Sequence, residues 1–327
     1  MLHNAPVVIV MPVYEDRESA KLLLRELADV LPAPPYVVAV EDGSVREPLR
    51  IGDITGAGLT GEVLYLMRNM GHQRAIAVGV SYVAAHLETE SLIVMDSDGE
   101  DTPQSIPALL ERLRRGDVDA VFARRRKRTE TLKFRAFYTV YKLIFKLLTG
   151  RTIAFGNFSA LGPIAIRRIA AMQEAWVHYA ASLLVSRLRI GEVPTDRGRR
   201  YAGKPHMNFT SLSLHGLRSI MVFAEDVLVR VGLFSVIFAV AATGMLGAAV
   251  FLKVIGYATP GWFSTAVGLL LLMVLQAGVL TFVTLMVSGF VKSGPPLTKA
   301  QLDQLIARVE KSGRVPTAGE LAPTGIP

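Results

Sequence analysis

Ser91-Leu92-Ile93-Val94-Met95-Asp96-Ser97-Asp98 is the stretch on which the reading of this chain turns. The apolar run Leu92–Met95 leads straight into two carboxylates one residue apart. Such a run, bounded by turn residues, reads as a buried strand, and side chains at i and i+2 of a strand point the same way. Two carboxylates on one side of a strand end can hold a hard divalent cation and leave coordination positions for phosphate oxygens. Asp and Ser are equally at home in a solvated turn, so the pattern needs context.

The context comes from the strands around it. Val7–Val10 ends near Pro12 and is followed by Tyr14, Glu15 and Asp16. Tyr36–Val40 runs into Glu41-Asp42-Gly43-Ser44. Helical spacing over Ser19–Leu31, Gln73–His86 and Pro107–Arg115 alternates with these strands and with Glu62–Met67 and Ala120–Ala123. Strands alternating with helices predict an α/β fold, Rossmann-like, with a mostly parallel sheet covered on both faces. Ligands of such sheets bind outside the carboxyl ends of the strands. Three acidic clusters at three strand ends therefore mark a site, in which Asp42 suits a base or ribose. Arg68-Asn69-Met70-Gly71-His72-Gln73 links a strand to a helix, where free N–H groups can meet phosphate. His72 there is a polar contact, not a catalytic group. Gly56-Ala57-Gly58-Leu59-Thr60-Gly61 matches the dinucleotide fingerprint but precedes a strand instead of following one, so it reads as a loop.

Composition sets the surroundings. The chain has 327 residues, is 51% hydrophobic and carries a net charge of +8. It has no cysteine, which excludes disulfides and thiolate metal sites. Neither Val231–Leu252 nor Val254–Val291 contains an Asp, Glu, Lys or Arg. Each exceeds the roughly 20 residues that cross a bilayer as a helix. Cations flank this region on both sides, with Arg218 and Arg230 before it and Lys292 and Lys299 after it. The positive-inside rule then puts both termini and the α/β part in the cytoplasm, with the spans inserted in the cell's inner (plasma) membrane. Phe134, Phe137, Tyr138, Tyr141, Ile144, Phe145 and Leu148 recur at helical spacing among Lys133, Arg135, Lys142 and Lys146. That is the signature of a basic helix lying on a membrane surface, which a packed surface helix also carries. Arg124–Arg128, and Arg199, Arg200 and Lys204, form cationic clusters suited to phosphates or anionic headgroups. With two spans present, the positive charge reads as membrane and phosphate contact, and no nucleic-acid partner is expected.

The expected organisation is a soluble domain over residues 1–205, with an interfacial helix at 130–149. A juxtamembrane segment covers 206–230. Two transmembrane helices follow within 231–291, at about 231–253 and 263–287. The remainder, 292–327, is a cytosolic tail with a short helix over Thr298–Glu310.

Five ordered pieces carry a resemblance. They are Met11-Pro12-Val13-Tyr14-Glu15, Glu41-Asp42-Gly43-Ser44, Arg68-Asn69-Met70-Gly71-His72-Gln73, Asp96-Ser97-Asp98-Gly99-Glu100-Asp101-Thr102-Pro103 and Arg200-Tyr201-Ala202-Gly203-Lys204. Over residues 7–205 the chain resembles family 2 glycosyltransferases of the GT-A fold, and within them the polyprenyl-phosphate hexosyltransferases, the group of the dolichol-phosphate mannose synthases. The resemblance implies inverting transfer of a hexose from a UDP- or GDP-linked donor to a polyprenyl phosphate. It implies that Pro12, Tyr14, Glu15, Asp42, Asn69, Gln73, Asp96 and Ser97 bind the nucleotide sugar. Asp96 and Asp98 would hold Mg2+ or Mn2+. Arg124, Arg135, Asn157, Arg200 and Lys204 would meet phosphates of donor or acceptor. Asp98 and Asp101 are the candidate catalytic carboxylates.

Two departures stand out. Gly99-Glu100 replaces the family's frequent Leu-Gln, and Gly156-Asn157-Phe158 replaces a Gly-Asp-Phe whose Asp is proposed as base. Asn cannot accept a proton, but a phosphate monoester with a second pKa near ~6 arrives largely ionised. The alternatives are a saccharide-extending transferase of the same family and a non-catalytic, membrane-tethered nucleotide-binding protein. Self-association is left open.

Overall fold

The computed structural model describes residues 3–125, 132–151, 156–202, 216–257, 261–291 and 298–313. In chain order the elements begin β1 (His3–Val13), α1 (Arg17–Ala28), β2 (Tyr36–Glu41), α2 (Ile51–Gly56), β3 (Thr60–Leu66) and α3 (His72–His86). They continue with β4 (Leu87–Val94), α4 (Ile106–Arg114), β5 (Ala120–Arg125), α5 (Leu132–Thr149), β6 (Ser159–Leu161), α6 (Pro163–Ala170) and α7 (Tyr179–Val185). The last are β7 (Ile190–Thr195), α8 (Ala224–Val254), α9 (Trp262–Val291), α10 (Lys299–Leu305) and β8 (Ile306–Lys311).

The strands form one mixed sheet of order β7-β5-β6-β4-β1-β2-β3-β8. At its centre β4, β1, β2 and β3 run parallel, with Val10 opposite both Val38 and Val94. The carboxyl ends of β1, β2 and β4 therefore lie side by side, as the sequence predicts. Alternation along each strand splits the core into two layers. Val8, Val10, Val38 and Val40 pack with Ile76, Val80 and Tyr179 on one face. Ile9, Met11, Val37 and Ala39 pack with Leu23, Leu27 and Leu109 on the other. Helix α3 lies close on the sheet because Gly79 has no side chain; a Cβ there would stand 2.5 Å from Val10 Cγ1.

The chain does not divide linearly. One compact unit comprises residues 1–135, 153–222 and 296–327, and the other 136–152 and 223–295. The segment expected to be a helical tail is helical only over α10, which a Thr298–Gln301 capping box starts. Ile306–Lys311 is instead a strand, antiparallel to β3. Ile306 and Val309 are β-branched and suit an edge that would otherwise be unpaired. β6 and β7 were not foreseen either.

In the second unit, α8 has 31 residues and α9 has 30. Both are long and apolar enough to cross a membrane. On α8 only Ser235, Ala242 and Ala249 are buried, and Leu233, Phe234, Ile237 and Val240 point outward. A soluble core helix would bury such residues; outward apolar faces of this length suit lipid. Phe145 of α5 packs edge-on against Phe223, with centroids 5.5 Å apart. Helix α5 and the start of α8 thus share one unit.

The Arg17–Asp53 pair fixes α1 to α2. Asp53 accepts from Arg17 Nε at 2.8 Å and Nη2 at 2.9 Å, and from the Arg50 N–H at 2.9 Å. Burial pushes the Asp53 carboxyl up, but the Arg17 bonds outweigh it and hold it below its ordinary value. A depressed carboxyl stabilises the fold above its unfolded pKa of about 3.9, and the gain is lost as pH falls through the folded value. We expect Asp53→Asn to lower stability by about 1–2 kcal/mol at pH 7. Below about pH 4 the variant and the parent should converge. Thermal unfolding in detergent against pH measures this, and an undiminished gap in acid would contradict it.

Candidate active site

Acidic side chains crowd the carboxyl ends of β1, β2 and β4, and each that is placed there fastens a loop. After β2, Glu41 is 1% exposed. It accepts from the Ser44 N–H at 3.1 Å, the Ser44 hydroxyl, and the Leu49 N–H at 2.7 Å. Asp42 accepts from the N–H groups of Met70 at 2.7 Å and Gly71 at 2.9 Å, tying β2 to the loop before α3. Burial raises the carboxyls of both Glu41 and Asp42 above their ordinary range. Gly43, which follows Asp42, has φ +73°, and a Cβ there would stand 2.6 Å from the Asn69 N atom. Only glycine brings these two loops together.

After β1, Glu15 sits at φ 49° and donates its N–H to Ser44 Oγ at 2.8 Å. Its carboxylate accepts from Val45 N–H at 2.9 Å and Arg46 N–H at 3.3 Å. Those backbone donors, Val45 first, hold its pKa below the ordinary carboxylate value. Pro12 lies within β1 opposite Val40, Tyr14 is 44% exposed and Asn69 is exposed. These residues lie together at the carboxyl ends of β1 and β2.

After β4 the two aspartates meet cations. Arg200 Nη1 lies 3.0 Å from Asp98 Oδ2, and Arg200 Nη2 lies 2.9 Å from Asp16 Oδ2. One guanidinium thus joins the ends of β1 and β4. Asp98 also accepts from the Glu100 N–H at 2.9 Å. Burial pushes the Asp98 carboxyl up, and the charge of Asp96 adds to it. Asp96 Oδ1 lies 3.1 Å from His72 Nε2. Burial opposes charge on that imidazole, but Asp96, Asp101 and Asp98 outweigh it and raise its pKa. Ser97 is buried between the two aspartates. Asp101 is 4% exposed and accepts from the Asp96 N–H at 3.0 Å, so it holds the turn from within.

Asn157, the departure from the expected aspartate, is oriented by a chain of amides. The Tyr179 N–H donates to Gln73 Oε1 at 2.7 Å, and Gln73 Nε2 donates to Asn157 Oδ1 at 3.2 Å. Asn157 Nδ2 is then left facing His72 Nε2 at 3.0 Å. The other departure also has a local cause. Gly99, at φ +85°, lies under Tyr201, whose ring would be 2.2 Å from a Cβ. Gly198 passes so close that its own Cβ would meet the Gly99 carbonyl oxygen at 2.2 Å. Glu100 pairs with Arg197 Nε at 3.1 Å, and the N–H groups of Gly198 and Tyr201 donate to the carbonyls of Glu100 and Asp98. Gly99-Glu100 and Arg197-to-Tyr201 are therefore matched halves of one packing arrangement.

Not every expected residue converges. Arg124 is 60% exposed on β5 and pairs with Glu192 at 3.2 Å. Lys204 and the side chain of Arg135 lie outside the described residues. Conversely, Asp16, Glu41, Ser44 and Tyr201 hold the site, although the sequence reading named them only within its clusters and motifs and gave none an individual role. Asp16 directly follows Tyr14 and Glu15, which was the available signal.

Fold and motifs define a glycosyltransferase of the GT-A class, and comparison with known proteins agrees. The model of glycosyl transferase family 2 matches residues 8–176, more than half of the chain, and the chain belongs to that family. It is 25% identical over 288 residues to the glycosyltransferase sll0501 of Synechocystis sp., covering 81% of this chain and 84% of that one. It is also 25% identical over 160 residues to the undecaprenyl-phosphate 4-deoxy-4-formamido-L-arabinose transferase of Salmonella choleraesuis. That match spans 47% of each protein, so this chain covers about half the length of that relative. Among solved structures, glucosyl-3-phosphoglycerate synthase of Mycobacterium tuberculosis, crystallised with Mn2+ and UDP-glucose, superposes with a TM-score of 0.50. It is 13% identical, covers 68% of this chain and 79% of that one, and shows the shared fold.

The Gly99–Tyr201 packing is testable. Gly99→Ala should cost about 2–3 kcal/mol, from the clash and from a side chain at positive φ. In the Tyr201→Ala background the same change should cost only the backbone part, about 1 kcal/mol. Equal costs in both backgrounds, measured by thermal unfolding, would show that Tyr201 does not pack there.

Proposed function

We propose that the chain transfers a hexose, with inversion, from a UDP- or GDP-linked donor to a polyprenyl phosphate at the cytoplasmic face of the inner membrane. The observation that carries the reading is the Arg200 guanidinium bridging Asp16 and Asp98. It brings three motifs, far apart in sequence, onto one point at the carboxyl end of the sheet. The relatives that act on undecaprenyl phosphate support the acceptor class.

In this reading the cleft of Pro12, Tyr14, Glu15, Asp42 and Asn69 takes the nucleotide. Gln73, Asp96 and Ser97 line the approach to the sugar diphosphate. Asp96 and Asp98 would hold Mg2+ or Mn2+. Their chemistry fits: both offer hard oxygens, and the raised Asp98 carboxyl marks a place short of positive charge. Among the described residues no three His, Asp or Glu side chains form a ready cage. Two carboxylates with substrate phosphates completing the shell is the common arrangement for magnesium. When bound, the ion supplies neutralisation of charge on the departing nucleotide diphosphate. Arg200 holds Asp98 and Asp16 in place and offers its charge to a phosphate group. Arg124, Arg135, Asn157 and Lys204 are assigned to donor or acceptor phosphates. Asp101 acts through Asp96, whose backbone it fixes.

No side chain needs to take a proton from the acceptor. A phosphate monoester is largely dianionic at neutral pH, and positioning suffices. A prenyl chain cannot leave lipid cheaply, at roughly 0.8 kcal/mol per exposed CH₂. That motivates an anchored enzyme whose α8 and α9 span the bilayer and whose α5 lies at the interface. Only six residues, 292–297, separate α9 from the segment containing β8. At ~3.5 Å per residue they are too short to recross a hydrocarbon core of about 30 Å. A two-pass topology therefore keeps β8 on the face where the sheet lies.

Asp98→Ala should abolish transfer while the protein still inserts in membranes. Membranes incubated with a panel of radiolabelled UDP- and GDP-sugars, then extracted for lipid, measure this. The parent should label the lipid fraction from one donor and lose that label in chelator, regaining it with Mg2+ or Mn2+. Full labelling by Asp98→Ala, or label in a saccharide chain and not in lipid, would refute the reading.

A further inference from the structure

The segment after the two long apolar helices does more than close the sheet. β8 pairs with β3 from Glu62–Lys311 to Leu66–Ile306. Its Glu310 reaches across the strand edge to Tyr65, whose hydroxyl lies 2.8 Å from Glu310 Oε2 and 2.9 Å from the Leu49 carbonyl oxygen. Arg308 covers the same ring, 4.0 Å from its centroid. Burial first, then Glu310, pushes the Tyr65 hydroxyl up to about 12, so it stays a proton donor at any working pH. The other side of Leu49 faces the site: its N–H donates to Glu41 Oε2 at 2.7 Å. Glu41 in turn fixes Ser44, and Ser44 accepts the Glu15 N–H at 2.8 Å.

A continuous relay therefore runs Glu310, Tyr65, Leu49, Glu41, Ser44, Glu15. Its links are hydrogen bonds except at Leu49, whose backbone joins its carbonyl to its N–H, and the single Tyr65 O–H is shared between Glu310 and the Leu49 carbonyl. Tyr65, Leu49 and Glu41 are buried. A second tie runs parallel to it: the Met67 N–H donates to the Leu305 carbonyl at 3.0 Å. Met67 leads directly into the loop whose Met70 and Gly71 N–H groups hold Asp42. Both walls of the cleft beside β1 and β2 are thus braced by residues 305–310.

We infer that Tyr65, with Glu310 of the strand that follows the apolar helices, is a positioning residue for nucleotide binding. The inference rests on the nucleotide cleft proposed above. Tyr65 touches no substrate. It holds the Leu49 carbonyl, and through that residue's backbone the N–H that orients Glu41, and so the Ser44–Glu15 wall against which a base and ribose would lie. The C-terminal segment is then part of the donor site and not a detachable tail.

The test uses the full chain in detergent, titrated calorimetrically with UDP and with GDP in the presence of Mg2+. Tyr65→Phe keeps the ring and removes only the hydroxyl. It should weaken the nucleotide that binds the parent about 3- to 10-fold, as expected for one lost hydrogen bond. Glu310→Gln retains an accepting oxygen and should weaken it less. Ser312→Ala is the comparator. It removes the side-chain bonds to Gly61, at 2.7 Å and 3.1 Å, one residue past the same strand and off the relay. It should lower the unfolding temperature and leave nucleotide affinity unchanged. Parental affinity in Tyr65→Phe, or equal weakening in Ser312→Ala, would overturn the inference. Glu15→Ala separates the two levels. If it weakens nucleotide while Tyr65→Phe does not, the cleft stands and the relay falls. If Glu15→Ala binds like the parent, or neither nucleotide binds the parent, both fall.

Discussion

Carboxylates gathered at one end of a parallel sheet repel one another, and the site exists only because each is fastened by a donor. Glu15, Glu41, Asp42, Asp98 and Asp101 all accept backbone N–H groups from neighbouring loops. The acids are therefore the staples of the loops as well as the charges of the cleft. Charge-assisted bonds of this kind are shorter and stronger than neutral ones. The arrangement leaves the end of β4 in deficit, where burial and the charge of Asp96 raise the cost of ionising Asp98 beyond what its backbone donor offsets. The Arg200 guanidinium and the His72 imidazole stand against that deficit. In the proposed function a divalent ion held there would meet the same electrostatic requirement.

That requirement explains why Arg200 is buried to such a degree, at 19% exposure, although arginine is normally solvated. Its guanidinium forms a fork between Asp16 and Asp98, and its Nε donates to the Ala202 carbonyl at 3.1 Å. Lysine, a single point charge, cannot satisfy three acceptors in that geometry. The loop carrying Arg200 is itself seated by the small residues Gly99 and Gly198, which let the backbones approach. Packing and electrostatics are thus coupled: the glycines position the arginine, and the arginine neutralises the aspartates.

Much of this was legible in the sequence because strand ends announce themselves. An apolar run such as Leu92–Met95 that stops at carboxylates is both a strand signal and a site signal, and β1, β2 and β4 follow that pattern. The central parallel sheet was read on those grounds, and the long apolar helices from the charge-free stretches Val231–Leu252 and Val254–Val291. What escaped depends on contacts distant in sequence. β6 is three residues long, and β7 contains Gly191 and Pro194, so neither shows a strand period. The Thr298–Gln301 capping box truthfully starts a helix, but nothing local reveals that β3 lacks a partner and draws Ile306–Lys311 into the sheet. Gly99-Glu100 looked like a family departure because its compensating partners, Arg197 and Tyr201, lie about a hundred residues away.

Asn157 is instructive for the same reason. Read alone, it is a lost base. In the fold its oxygen is committed to Gln73, which the fixed Tyr179 N–H orients, and its amide nitrogen faces His72. An aspartate there would place one more negative charge beside Asp96, in a region where burial already penalises ionised carboxyls. Asp101, the remaining acid nearby, is turned inward onto the Asp96 backbone. With the acceptor proposed above, which arrives already ionised, neither residue needs to withdraw a proton. Such an acceptor would bring the negative charge that Arg200 is placed to receive. In that reading the chemistry of the acceptor and the amide at position 157 would be two consequences of a single charge balance.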